Sequence, residues 1–139
     1  MALTGKNASF KIDDSGGILR DLSTDVNSVS LPASMDAVDS TTFQATDGAK
    51  TYIPGLQDHT ISIEGVFDTT ALTGSDTVLS GLIGFASTAS FEFAPDAAGG
   101  AKYEGECICT GYEISAPVAD LVSFSASLQV SGAVTRTTF

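Results

Sequence analysis

The chain predicts a mainly β protein, an antiparallel β-sandwich or barrel with one α-helix inserted at about residues 76–86. Three observations carry this. Apolar residues alternate with small polar ones in several segments, most clearly in Val122-Ser123-Phe124-Ser125-Ala126-Ser127-Leu128-Gln129-Val130. Clusters of Gly, Pro, Asp and Ser separate these segments, as turns require. Only one stretch switches to helical spacing.

Taken in order, Ala8 to Asp13 alternates and runs into Asp13-Asp14-Ser15-Gly16-Gly17, a cluster suited to a tight hairpin turn, before Ile18 to Leu22 returns. Val26 to Leu31 extends the sheet until Pro32, which lacks a ladder donor, interrupts it. Met35 to Phe43 is a weaker strand, rich in Thr, Ser and Asp, and Gln44 to Asp58 reads as one long loop. Loops of about fifteen residues are uncommon in compact domains and are usually functional or disordered. His59 to Phe67 is a strand with His59, Ile61, Ile63 and Phe67 on one face and Thr60, Ser62 and Glu64 on the other.

Within Asp76 to Ala86, Val78, Leu79, Leu82, Ile83 and Ala86 recur at helical spacing, with Ser75 or Asp76 as N-cap. Gly81 and Gly84 each cost about 1 kcal/mol against Ala, so this helix depends on docking against the sheet. Thr88 to Ala94, Ala101 to Ser115 and Leu121 to Gly132 complete the strands, joined by turns at Pro95 to Gly100 and Ala116 to Asp120. No internal repeat or low-complexity tract appears.

A chain of 139 residues reads as one domain, residues 1–139, and at this size should bury roughly 68% of the surface its unfolded form exposes. With 42% apolar and 17% charged residues it has the composition of a packed protein rather than a disordered one. Seventeen acidic residues against six basic ones give a net charge of −11. The cations Lys6, Lys11, Arg20, Lys50, Lys102 and Arg136 are scattered, so no basic stripe is available for nucleic-acid phosphates or an anionic membrane. No charged, apolar leader or membrane-length apolar run is present, and the chain reads as cytosolic when made.

Chemistry is sparse. Cys107 and Cys109 point to one face of a strand, and a lone Cys-x-Cys lacks the other ligands of a zinc site, so both read as free thiols in the core. His59, the single histidine, sits on an apolar face and reads as a packed or rim residue. There is no Gly-x-Ser-x-Gly elbow, no phosphate-binding loop and no His-Glu-x-x-His. The Asp13 to Gly17 cluster lacks the remaining oxygen ligands of a calcium loop. An enzyme, a metal centre and a cofactor are therefore not expected.

Several runs resemble the major tail tube proteins of long-tailed bacteriophages. They are Leu3-Thr4-Gly5-Lys6-Asn7-Ala8, Lys11-Ile12-Asp13-Asp14, Leu19-Arg20-Asp21-Leu22-Ser23 and Val29-Ser30-Leu31-Pro32. To these add Lys50-Thr51-Tyr52-Ile53-Pro54-Gly55-Leu56-Gln57-Asp58 and the strand Ile61-Ser62-Ile63-Glu64-Gly65-Val66-Phe67-Asp68. The order of features is similar over nearly the whole chain, while Cys107, Cys109 and the aromatic C-terminus lie outside the resemblance.

The resemblance implies a virion structural protein, assembled in the bacterial host cytoplasm, that stacks as probable hexameric rings into a tube conducting DNA. Its main partner would be itself, followed by the tape-measure, tail terminator and distal tail proteins, with genomic DNA passing unbound and no membrane involved. Six copies would carry about −66 per ring, opposing DNA that bears roughly one negative charge per 1.7 Å.

For contacts between subunits, the loop at 44–58 offers Tyr52, Ile53 and Leu56 with the bend Pro54-Gly55, and the terminal aromatic Phe139 joins this set. Thr60, Ser62, Glu64, Ser123, Ser125, Ser127 and Gln129 would suit a wet lumen, or equally bulk solvent; Glu104, Glu106 and Glu113 are open in the same way. The rival from another class is a monomeric β-sandwich binding module, such as a capsid decoration or adhesion domain. Such a module would be expected to show an aromatic patch, and this chain has no Trp and three Tyr.

Overall fold

A computed structural model describes residues 5–43, 48–95 and 100–138. After a 3-10 turn at Gly5–Asn7 the elements are β1 (Ser9–Asp13), β2 (Leu19–Asp21), β3 (Val26–Ser30), β4 (Ala33–Asp39), β5 (Tyr52–Val66), α1 (Ser75–Leu82), β6 (Ala89–Ala94), β7 (Ala101–Ser115) and β8 (Ser123–Thr138). One antiparallel sheet runs β2-β1-β6-β7-β8-β5-β3, and β4 pairs with β5. The mainly β, one-helix architecture expected from the alternation is present.

The sheet curls into a barrel left partly open. Strand β1, inside the edge strand β2, faces the other edge strand, β3, across a cleft of about 540 Å³ lined by Phe10, Val26, Val29 and Phe93. Alternate residues point inward: Phe10 and Ile12 of β1, Ile61 and Ile63 of β5, Phe91 of β6, Cys107 of β7, and Phe124, Ala126, Leu128 and Val130 of β8 form one buried cluster. Each large aliphatic there contributes about 1.5–3 kcal/mol by leaving water. Helix α1 closes one end of the barrel by burying Val78, Leu79 and Leu82.

The hairpin at Asp13 to Gly17 forms as its residues demand. Asp14 Oδ1 accepts from the amides of Gly16 and Ile18, and Gly17 takes φ 81°. Arg20 donates to Asp14 Oδ2 at 2.9 Å, which with those amides holds the Asp14 carboxyl below the usual carboxylate range.

Four expectations are corrected. The long loop at 44–58 is not one loop: Tyr52 to Asp58 are the first half of β5, and Tyr52, Ile53, Pro54, Gly55 and Leu56 lie in a hairpin with β4. Residues 44–47 fall outside the described residues, as does Phe139. Pro54-Gly55 has the composition of a turn but serves a β-bulge, and the register shifts here between Met35 and Ala37. A Cβ on Gly55 would lie 2.8 Å from that of Asp36, so only glycine fits this approach. Helix α1 ends at Leu82 rather than residue 86, with Gly84 at φ 82° just beyond it. Its N-cap is Gly74, not Ser75 or Asp76. The Ser75 hydroxyl is buried, donating to the Val66 carbonyl and accepting from the Asp68 amide, which ties the helix to the end of β5 instead. Phe67 lies past the end of β5, and Gly65 takes the last inward position.

Candidate assembly surfaces

Two surfaces stand out, an exposed arm and a polar face. The arm is built by β4 and Tyr52 to Asp58 of β5. Every residue of β4 is exposed, and the β5 half of the arm is equally bare apart from Gly55. It carries Met35, Val38, Tyr52, Ile53 and Leu56 in water, the last at 81% exposure. A two-stranded ribbon without a core is marginal alone, and contiguous exposed apolar residues mark a contact surface. Gln129 secures the arm's base, donating to Asp58 Oδ1 at 2.7 Å and to the His59 carbonyl at 3.1 Å.

The polar face is the outer surface of β5 and β8. All seven residues assigned to it on alternation come together, because register pairs Thr60 with Gln129, Ser62 with Ser127 and Glu64 with Ser125, while Ser123 opposes Val66. Thr60 Oγ1 and Gln129 Oε1 are 3.1 Å apart. Neighbouring strands continue the surface: Ser28 and Ser30 of β3 oppose Glu64 and Ser62, and Glu113 of β7 opposes Ser125. Glu64 and Glu113 therefore flank one serine two strand spacings apart, roughly 10 Å. Further along, Glu92 and Glu104 share Lys102 at 3.0 and 3.4 Å.

Arg136, Tyr103 and Val134 gave no signal in sequence. They meet His59 at the barrel end opposite α1, around a cavity of about 370 Å³. No spacing rule links positions 59, 103 and 136; only the sheet register does.

The remaining chemistry is inert. Cys107 and Cys109 are free, and burial pushes the Cys107 thiol up to about 12. Iodoacetamide at pH 8 should leave Cys107 unmodified in the folded protein and label it fully in denaturant; rapid native labelling, read by mass spectrometry, would show that the strand opens. Among the described residues no cluster of His, Cys, Asp and Glu could hold a metal, and no helix is long and apolar enough to cross a membrane.

The phage tail tube protein family model matches residues 24–136. This chain belongs to that family. A search of curated proteins finds no match to this chain. Among solved structures, its fold is similar to a chain of the native gene transfer agent virion, at TM-score 0.79 and 19% identity, covering 98% of this chain and 99% of that one. It is equally similar to a chain in the tail of the empty gene transfer agent particle, refined with C6 helical symmetry, at TM-score 0.79 and 20% identity over 98% and 99% of the two chains. The SPP1 tail tube chain matches at TM-score 0.76 and 13% identity, over 97% of this chain and 78% of that one. Tail tube proteins are structural components of the virion, so the role of this chain is to build a tube.

Proposed function

We propose that the chain forms stacked hexameric rings whose lumen is lined by the polar face of β5 and β8 and conducts DNA during ejection. The observation that carries this reading is the register that gathers Thr60, Ser62, Glu64, Ser123, Ser125, Ser127 and Gln129 on one surface. The sixfold symmetry of the related gene transfer agent tail supports the ring number. The β4–β5 arm, with Tyr52, Ile53, Pro54, Gly55 and Leu56, bridges subunits. Ring closure satisfies strand edges that a lone subunit leaves open.

The lumen works by not binding. Small hydroxyl groups present no cation to phosphate, and Glu64 and Glu113 repel it over a reach of about 8 Å at physiological salt. The task is conduit and scaffold, without catalysis. Partners are further copies, the tape-measure, terminator and distal tail proteins. Assembly takes place in the host cytoplasm.

Replacing Glu64 and Glu113 together by Lys leaves both side chains on a solvated face of the subunit, so tubes are expected to form at normal yield. Six copies of each change would place twelve cations in the lumen, and DNA release should become slow and strongly salt-dependent. Ejection measured by dye fluorescence on phage carrying the variant tests this; wild-type kinetics at low salt would remove this face from the lumen.

A further inference from the structure

The two ends of the barrel differ in chemistry. At the open end His59 is nine-tenths buried, and among the described residues neither ring nitrogen has a hydrogen-bond partner. It faces the cavity lined by Leu31, Phe93, Tyr103, Val134 and Arg136. Arg136 stands exposed at the rim of that cavity and forms no ion pair among the described residues. A buried polar ring with no partner is rare, because losing water without replacement costs free energy. The unmet need here is that of the His59 ring, and the natural acceptor for an imidazole with a guanidinium at its rim is a carboxylate.

The plugged end has the complementary composition. The turn between β7 and β8 carries Asp120 between Val118, which is fully exposed, and Leu121, which is 69% exposed. Asp68 and Asp76 lie beside it at the two ends of the 68–76 segment, Asp76 accepting from the Tyr112 hydroxyl. The pairs Tyr103 with Arg136 and Ser115 with Ser123 place the two ends at opposite extremes of the β7–β8 hairpin, roughly 40 Å apart.

Resting on the tube reading above, we infer that the open end is a socket for the β7–β8 turn of a second copy, with Asp120 of that copy meeting Arg136 and His59 while Val118 and Leu121 enter the apolar lining. The occupant is a copy of this chain on three grounds. The chain builds a tube of itself; its charge of −11 makes carboxylates abundant on every copy; and unlike ends that fit head to tail propagate instead of closing into a pair.

The test uses the full chain with a benzophenone amino acid at Val134, irradiated after polymerisation and mapped by mass spectrometry. Adducts between copies within residues 116–122 are expected. Inter-copy adducts confined to other segments, or purely intramolecular ones, overturn the inference while leaving the tube intact. Arg136→Glu should lower polymer yield at least about tenfold, with recovery when Asp120→Arg is added; wild-type polymerisation of the single variant would also overturn it. Should Arg136→Glu fail to fold by circular dichroism, Arg136→Gln is read instead, with a raised threshold concentration expected and an unchanged one counting against the socket. If the unmodified chain builds no tube, the reading under Proposed function fails first, and it does so without reference to this end.

Discussion

A chain carrying Tyr52→Asp and Leu56→Asp together is expected to remain a folded monomer and to form no tubes. Both side chains stand in water in the free subunit, at 55% and 81% exposure, and neither belongs to the core cluster. Substitutions at such surface positions usually change stability by no more than about 0.5 kcal/mol. In an interface the same two aspartates would bury unpaired charge, which costs about 3–5 kcal/mol for a stranded ion. The penalty recurs at every subunit, so polymerisation should stop rather than weaken. Sedimentation velocity and negative-stain microscopy read the outcome, with circular dichroism confirming the fold. Normal tubes would remove the arm from the contacts between subunits.

Gly65→Ala should damage the subunit itself. A Cβ at this position would lie 2.2 Å from the Asp25 carbonyl oxygen and 2.8 Å from the Val26 Cα, both backbone atoms that no rotamer change can move. The crowding arises because β3 joins β5 here through a register shift, and the Val66 amide donates to that same Asp25 carbonyl at 2.7 Å. Asp25 also accepts the Ser75 amide at the start of α1, so displacing it disturbs the plug of the barrel as well. Overpacking against backbone costs about 3 kcal/mol, equivalent to a fall in Tm of about 10 °C for a domain of this size. Calorimetry checks it, and an unchanged Tm would mean that the entry to β3 yields freely.

Much of this architecture is legible from alternation, and the exceptions have physical causes. Ala101 to Ser115 emerges with its own boundaries because turn residues flank it on both sides, although register shifts at Glu104/Glu106 and Cys109/Gly111 break its two-residue period. The seven polar positions on β5 and β8 share a face because register transmits parity from one strand to its neighbour. The arm was illegible because proline and glycine punctuate turns and bulges alike, so Pro54-Gly55 carries no local sign of which one it serves. The last residues of β8 are not legible in the sequence because Gly132, at φ 94°, breaks the period before Thr135 to Thr138 rejoin β7. Ser75 has the chemistry of a cap yet is used as a tie, a choice made by burial and invisible in one dimension. The meeting of His59 with Arg136 depends on the closure of the whole sheet.

The chain contains a single imidazole, and it is enclosed by one rim of the molecule. Its ring protons thus give one isolated pair of resonances, free of overlap from any other histidine. Isotope labelling of that residue alone converts the particle into its own spectroscopic gauge, able to follow growth in real time without a dye, a tag or an altered side chain.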